Sequence, residues 1–339
     1  MALEAVPLLR EDSILCWGKE ATFKTVSADA APWQSLGRVE EWTDLGPVKA
    51  VFREAIAGSG RQAATIGVGG TVYPQTTIGP FQVVDPRFLG FAWGEELAAN
   101  GPTAIGGGYY RHTVTPTTNG QLPSMSVQMG DYKAGSLVDG MTYLGVIMPK
   151  LSLRGEEGNE DGTGGRVLAA PTLAAHDHST ATTAKSVTLP TSTPYYKQHA
   201  SIQFYDTDVD WRIHSWEYSI DNSAKANYYH RSGGDKPFES PPEGVLHDLT
   251  LDIIADAHQA AGHAAILRDL AANETTGQGK IKYVRTANQD EFAVNLTDIK
   301  IESALKTRSK GKIHYEVKAY VRATSFEYVD QNAAAYYPT

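Results

Sequence analysis

The strongest constraint on the fold is a strict alternation of apolar and polar residues along residues 311–328. The apolar positions that recur at every second residue are Ile313, Tyr315, Val317, Ala319 and Val321. Successive side chains of a β-strand point to opposite faces of a sheet, so this spacing predicts a long strand with one buried and one solvated face. Further strands are predicted at 71–84, 109–115, 122–129, 140–153, 209–221, 245–255, 280–287 and 291–302. The chain is therefore predicted to be mainly β.

One of these strands carries an irregularity. Along 209–221 the apolar phase shifts between Ile213 and Trp216. Because an extra residue in one strand moves the following side chains to the opposite face, the shift predicts a β-bulge at this point.

Two helices are predicted beside the strands. Asp85 is a candidate N-cap followed by Pro86 at the first helical position, and this helix is expected to include residues 88–100. A second helix is predicted at 257–272, where Asp256 can act as the cap and alanine and leucine supply a broad apolar face. The predicted fold class is accordingly mainly β with flanking helices (α+β).

The order of a strand, a helix and three further strands occurs in both halves of the chain. The candidate caps Asp85 and Asp256 lie about 170 residues apart, and the final strands near Gly140 and Gly311 show the same offset. This offset predicts an internal duplication; the alternative is one large β-sandwich whose elements happen to align. The predicted organisation is an N-terminal arm at 1–36, a first domain at 37–153, a long loop and linker at 154–208, and a second domain at 209–339.

Composition excludes several kinds of site and partner. Cys16 is the only cysteine among 339 residues, so neither a disulfide within the chain nor a cysteine-based zinc site can form. No apolar run approaches the roughly 20 residues that span a bilayer, so no membrane insertion is expected, and a secretory signal is not expected either. The net charge of −9 argues against tight binding of nucleic acid, because phosphate contacts need clustered Lys and Arg.

Motifs that would carry chemistry are weak. The glycine-rich GVGG and IGGG stretches lack the Lys-Ser/Thr of a P-loop. His176, Asp177 and His178 could hold a metal, but they lie in an Ala/Thr-rich stretch and are expected to be solvated loop residues. The glycine-rich 58–70 and the polar insert at 154–194 are likewise predicted to be exposed loops. No catalytic, cofactor or metal site is predicted, and the chain is not expected to be an enzyme.

A set of motifs runs through both halves of the chain. WEYSIDN at 216–222 ends a predicted strand and leads into a long loop, after which GVLHDLTLDIIADAH begins the next strand and helix. GKEATF at 18–23, TVYPQTTIGPFQVVDPRFLGFAWG at 71–94 and the HTVTP to GQLPSMSVQ stretch at 112–128 belong to the first half. Together these stretches resemble the major tail tube proteins of long-tailed (siphovirus-like) viruses, in their large two-domain form.

That resemblance implies both a fold and an assembly. The fold would be two tandem β-sandwich or partial-barrel domains, each flanked by a helix. Neighbouring subunits of such proteins join their sheets into a continuous barrel around a ring. Rings of single-domain members are typically six-fold, so a duplicated chain would form a homotrimeric ring with pseudo-six-fold symmetry.

The same resemblance implies a structural role in the virion tail after synthesis in the host cytoplasm. Stacked rings would form the tube that conducts viral DNA into the host, and the DNA would pass without sequence-specific binding. The expected partners are further copies of the chain and the tape-measure, terminator and tail-tip proteins. Because DNA must pass quickly, we expect inward-facing side chains to carry net negative charge.

Long loops are expected to connect successive rings. Aromatic residues in or beside the loops at 154–194 and 222–244 suit interfaces better than open solvent, and those singled out are Tyr195, Tyr196, Tyr228, Tyr229 and Phe238. Two alternatives stay open. One is another virion β protein, such as a tail terminator or a capsid decoration protein. The other is a carbohydrate-binding β-sandwich, which would need surface Trp or Tyr platforms and paired carboxylates.

Overall fold

The structure, a computed structural model, describes residues 13–26, 33–36, 39, 43–54, 65–96, 101–117, 121–133, 136–155, 165–189, 192–205, 213–224, 244–254, 267, 271–272, 276–309 and 312–337. Strands dominate these residues, which confirms the prediction of a mainly β fold. The helical residues are the two 3₁₀-helices Pro86–Ala92 and Lys197–His199, and Leu267, Ala271 and Ala272. No helix in these ranges is long and apolar enough to cross a membrane.

Twenty strands are present in the described ranges. The first ten are β1 (Ser13–Lys19), β2 (Trp33–Ser35), β3 (Val48–Glu54), β4 (Thr65–Val72), β5 (Thr76–Thr77), β6 (Phe81–Gln82), β7 (Gly94–Glu95), β8 (Thr103–Gly106), β9 (Tyr109–Pro116) and β10 (Met125–Lys133). The other ten are β11 (Ser136–Gly155), β12 (Val167–Ala174), β13 (Asp177–Ala181), β14 (Val187–Thr188), β15 (Ala200–Phe204), β16 (Ile213–Asp221), β17 (Leu246–Ile254), β18 (Gly277–Thr286), β19 (Asp290–Ser309) and β20 (Lys312–Asp330).

The largest continuous part of the fold is an antiparallel sheet in the strand order β12–β11–β16–β17–β20–β19–β18–β15. The alternation that predicts β20 is confirmed, because its apolar residues are buried and the residues between them are exposed. The buried set is Tyr315, Val317, Ala319 and Val321, and the exposed set is Glu316, Lys318, Tyr320 and Arg322. One face of this sheet therefore packs on the core while the other faces solvent.

The predicted irregularity in β16 is also confirmed. The pairing register between β16 and β17 shifts between Ile213 and Ser215, just before the buried Trp216. The extra residue restores the inward orientation of Trp216, whose indole nitrogen donates a hydrogen bond to the Tyr283 hydroxyl at 2.8 Å.

The long strand β11 joins two parts of the sheet. Its first half pairs with β10 and β13, and its second half pairs with β12 and β16. Gly145 lies at the change of partners with φ at +59°, a left-handed conformation that favours glycine. Its N–H donates a hydrogen bond at 2.9 Å to the buried carboxylate of Glu20, which follows β1. Strand β1 pairs with β10 and β2, so residues 13–19 of the predicted arm belong to the sheet.

Asp85 caps a helix as predicted. Its carboxylate accepts a hydrogen bond from the Arg87 N–H at 3.0 Å, and Pro86 holds the first helical position. The helix is a 3₁₀-helix that ends at Ala92, so the prediction of a helix over 88–100 is wrong for residues 93–96, and residues 97–100 lie outside the described ranges. Gly94 ends it, because its φ of +133° is incompatible with a helix and a side chain here would meet the Thr117 backbone nitrogen at 2.6 Å.

The predicted helix at 257–272 is helical at its three described residues, and the remainder lies outside the described ranges.

The two halves share one element and differ in another. The antiparallel hairpins β10–β11 and β19–β20 occupy equivalent places in the predicted duplication. In the second half β17 pairs with β20, whereas its counterparts β5 and β6 pair with β12. Hydrogen bonds also cross between the halves, since β9 pairs with β20 and β11 pairs with β16. The tandem-domain boundaries stay a prediction, and the two halves contribute strands to one connected sheet.

Two predicted loops contain strands instead. Residues 165–189 of the insert at 154–194 include β12, whose Val167 and Leu173 are fully buried against the core. Strand β12 pairs with β11 on one side and with β5 and β6 on the other. These pairings hold residues 167–174 in the sheet although the sequence around them is polar. Residues 65–70 of the loop predicted at 58–70 belong to β4, which pairs with β3. Of the loop at 222–244, only residues 222–224 and 244 are described.

Candidate assembly surface

The most distinctive surface feature is an unpaired edge of β19. Strand β18 pairs with β19 only as far as Ile299, and beyond it residues 300–309 pair with β20 on one side. In the described part of the chain no strand pairs with the opposite side of this segment. Leu305 lies in it with 58% of its surface exposed. A long strand edge with unused backbone hydrogen-bonding groups can pair with a strand of another chain.

The solvated face of the sheet is lined by charged side chains of both signs. Across β11 and β16, Lys150 and Asp221 form an ion pair at 2.6 Å. Further ion pairs on the neighbouring strands are Lys280–Glu327 at 3.2 Å, Lys318–Glu316 at 3.5 Å and Arg322–Asp298 at 3.7 Å. Such exposed pairs contribute little to stability. Their consequence is electrostatic, because a nearby carboxylate partly cancels the field of each of these cations.

The aromatic residues predicted to contact the next ring of subunits differ in how far they are buried. Tyr195 is fully buried, and its hydroxyl donates a hydrogen bond to Asp290 at 2.6 Å. The Arg285 guanidinium lies 3.9 Å from the centre of the same ring. The expectation that Tyr195 is exposed is therefore wrong, because its ring fills the core beside Phe292 and Tyr283. Tyr196 is half-buried, and Tyr228, Tyr229 and Phe238 lie outside the described ranges.

His176 and His178 are not solvated loop residues. His176 is fully buried, and its Nδ1 donates a hydrogen bond to the Gly145 carbonyl at 2.6 Å. Burial lowers the pKa of His176 to about 4, against the opposing effect of that hydrogen bond. His178 lies 2.7 Å from the Tyr73 hydroxyl through its Nδ1. Among the described residues no cluster of His, Cys, Asp and Glu could hold a metal ion.

A buried charged cluster was not predicted. His112 on β9 is fully buried, with Nδ1 at 2.6 Å from the Glu96 carboxylate and Nε2 at 2.9 Å from Asp330. Burial alone would lower the pKa of His112, but the hydrogen bonds to Asp330 and Glu96 outweigh it and raise the pKa to about 9. The imidazole is therefore a cation held between two carboxylates at neutral pH. His112 and Val114 are two residues apart on β9, so the alternation of the strand predicts that both face the core. The local sequence does not identify Glu96 and Asp330 as partners of His112.

The same cluster holds the C-terminal segment in place. The second oxygen of Glu96 accepts hydrogen bonds from the backbone N–H groups of Tyr336 and Tyr337, the latter at 3.0 Å. The Tyr337 ring is buried, and its hydroxyl donates to the Arg87 carbonyl of the 3₁₀-helix. Tyr337 is thus held in the core beside the 3₁₀-helix, and holding this segment is a structural role for the cluster.

A polar groove of about 860 Å³ lies between the start of the 3₁₀-helix, the β18–β19 turn and the end of β20. Two arginines line it, but both are already paired. Arg87 meets Asp85 at 2.6 Å, and Arg285 meets Asp290 at 2.7 Å. Among the described residues that line it, the groove therefore offers no uncompensated cation to an anionic ligand.

Comparison of the sequence with protein-family models and with curated proteins finds no match. The functional conclusion therefore depends on the surface features of the fold and on the motifs described above.

Proposed function

We propose that this chain is a structural protein of the virion tail, a major tail tube protein of the large two-domain type. It polymerises as stacked rings, and the resulting tube conducts viral DNA into the host. The observation that carries the proposal is the unpaired edge of β19 at residues 300–309, at one side of a broad antiparallel sheet. An exposed edge of this length favours aggregation in a monomer, and closing a ring of subunits removes it.

The solvated face of the sheet suits the wall of a channel. Lysine and arginine side chains that are already paired with carboxylates release few counterions on meeting phosphate, so they retain DNA weakly. A wall with these properties lets DNA slide. In the assembled ring we expect inward-facing side chains to carry net negative charge, and counting lumen-facing Asp and Glu against Lys and Arg in a tube structure tests this. A clear basic majority would contradict it.

The ring would contain three copies if the internal duplication is real, because each chain then presents two similar domains. The remaining partners would be the tape-measure, terminator and tail-tip proteins of the same virion. A tail terminator would use the same strand edge to form a single ring without stacking. Electron microscopy separates the two functions, since a tube subunit gives stacked rings and a terminator gives isolated rings.

The carbohydrate-binding alternative has less support. Such a protein needs exposed aromatic platforms. The tryptophans within the described ranges are Trp17, Trp33, Trp93 and Trp216, and all of them are buried. Their indole rings fill the core and leave no tryptophan platform on the described surface.

A variant at the β19 edge tests the proposed function. Replacing Leu305 with lysine places a charge on the unpaired edge, where lysine is known to oppose pairing between strands. The matched control is Leu189→Lys, because Leu189 is also largely exposed and follows β14, away from this edge. We expect wild type and Leu189→Lys to form rings in sedimentation and electron microscopy, and Leu305→Lys to stay largely monomeric. Rings of Leu305→Lys at wild-type concentrations would show that the edge is not the contact.

A further inference from the structure

Strands β3 and β4 form a hairpin that is separate from the rest of the sheet. Val48–Glu54 pairs with Thr65–Val72 in antiparallel register, and no other described strand pairs with either of them. A two-stranded hairpin is at best marginally stable in water, and a third strand stabilises it. Each of its two outer edges can pair with such a strand.

The base of this hairpin carries exposed apolar side chains. Val48 and Val72 lie directly opposite each other in the pairing register, so their side chains share one face. Val48 has 55% of its surface exposed and Val72 has 41%. On the unpaired edge of β19, Leu305 is 58% exposed, and its paired neighbour on β20 is the charged Glu316. The hairpin and the β19 edge therefore both lack a strand partner and both expose apolar side chains.

Chain connectivity places the hairpin and the β19 edge on opposite sides of the large sheet. Residues 73–75 lead from β4 to β5, which pairs with the outer side of β12. From β12 the strand order runs through β11, β16, β17 and β20 to β19. Five strand spacings separate β12 from β19, or roughly 24 Å along the sheet.

Strand β12 itself is already paired on its outer side. Strand β5 pairs with residues 172–173, and β6 pairs with residues 168–169. The β19 edge of a neighbouring copy therefore cannot continue the sheet along β12. The β3–β4 hairpin precedes β5 directly in the chain, and in the described structure both of its outer edges lack a paired strand.

We propose that the β3–β4 hairpin of one copy pairs with residues 300–309 of β19 in the neighbouring copy of the same ring, and that Val48 and Val72 pack against Leu305. This inference rests on the proposed function. Rotation about a ring axis sets the β19 side of one sheet against the β5–β12 side of the next. The two hairpin strands, of 7 and 8 residues, are long enough to cover most of this edge. Each junction then gives the hairpin its third strand and removes the β19 edge.

Two variants, each of which blocks one side of the junction, test the proposal. Variant A is Leu305→Lys, which blocks the edge and leaves the hairpin intact. Variant B carries Val48→Lys and Val72→Glu, which remove the apolar face while their opposite charges keep the two hairpin strands paired. In sedimentation velocity we expect A and B alone to associate at least about tenfold more weakly than wild type. The control Leu189→Lys, at another exposed leucine, should associate as wild type does.

An equimolar mixture of A and B shows whether the two sites belong to one junction. Variant B supplies an intact edge and A supplies an intact hairpin, so a single junction can form between them. We expect a heterodimer that does not grow into rings. A mixture without heterodimer would overturn the proposal.

The other outcomes separate this proposal from the tube function. If B alone assembles as wild type does, the hairpin is not the partner of β19 and the tube function stands. If B alone forms single rings that do not stack, the hairpin joins successive rings, and the proposal is wrong while the tube function again stands. If wild type stays monomeric at every concentration, both are wrong.

Cross-linking tests the contact itself. Cys16 is the only cysteine and is fully buried, so an introduced cysteine is the one accessible thiol. Leu305→Cys and Val72→Cys proteins are mixed and treated with a short bismaleimide, and Leu189→Cys replaces Val72→Cys in the control. We expect mass spectrometry to find links between positions 305 and 72 and none between 305 and 189. Links between two copies of Leu305→Cys would show that β19 edges pair with each other, which would overturn the proposal.

Discussion

Raising the pH from 6.5 to 9 is expected to lower the free energy of unfolding by about 3 kcal/mol through the side chain of His112. In the folded chain its pKa is raised from 6.5 to about 9, because hydrogen bonds to Asp330 and Glu96 outweigh the effect of burial. The folded chain therefore keeps a proton that the unfolded chain loses above pH 6.5. The stability from this proton is complete below pH 6.5 and is lost as the pH rises through 9.

The surroundings of His112 make this effect assignable to one group. The ring faces Glu96 and Asp330 at 2.6 and 2.9 Å, the Asn332 carbonyl at 3.0 Å, and the Tyr328 ring stacked at 4.5 Å. The pKa of Tyr328 is raised well above its usual value, first by burial, so this phenol stays neutral throughout the window. Loss of the proton leaves two carboxylates facing a neutral imidazole that can donate to only one of them.

Urea denaturation followed by tryptophan fluorescence measures the effect at several pH values between 6.5 and 9. We expect wild type to lose stability steadily over this range. His112→Gln should be less stable at pH 6.5 but nearly independent of pH, while the partly exposed control His199→Gln should keep the wild-type slope. A wild-type free energy of unfolding that is constant over the window, or a His112→Gln variant with the full slope, would refute the buried imidazolium.

Three further predictions concern stability. Burial lowers the pKa values of His176 and His247 to about 4, so the free energy of unfolding should fall as the pH drops from 6.5 towards 4. Replacing both residues with Gln should flatten that slope in acid denaturation. Trp93→Ala removes a fully buried ring stacked 4.9 Å from a phenylalanine and should cost about 3–5 kcal/mol in urea denaturation, with a loss below about 1 kcal/mol contradicting the packing. Gly145→Ala should destabilise more than Gly108→Ala, since both have positive φ but an added Cβ meets a neighbouring side chain at 2.9 Å only at Gly145; equal melting temperatures would contradict this.

The sequence predicts the long strands well, because each shows its burial pattern locally. The alternation along β20 and the phase shift in β16 reappear as the buried face and the register shift in the structure. Asp85 is recognised as a cap because its side chain bonds the backbone two residues away. These features depend on neighbours in sequence, so a single sequence contains them.

What the sequence misses depends on distant partners. Val167 and Leu173 lie among alanines and threonines, and their burial follows from pairing between β12 and β11. His176 lies in a polar stretch of sequence, yet it is buried because the fold places it next to Gly145, whose carbonyl accepts its hydrogen bond. Glu96 and Asp330 are far apart in sequence and meet only at His112. Tyr195 is taken for an exposed aromatic residue for the same reason, since Asp290 and Arg285 are supplied by another part of the chain.

Cryo-electron microscopy of the purified full-length protein at high concentration tests the central claim most directly. The account predicts stacked rings of three chains with an open channel, in which residues 300–309 of β19 pair with the sheet of the next copy. Six chains per ring would refute the duplicated, trimeric arrangement while leaving the tube in place. Monomers at every concentration, together with virion tails that lack this protein, would contradict the proposal that the chain builds a tail tube.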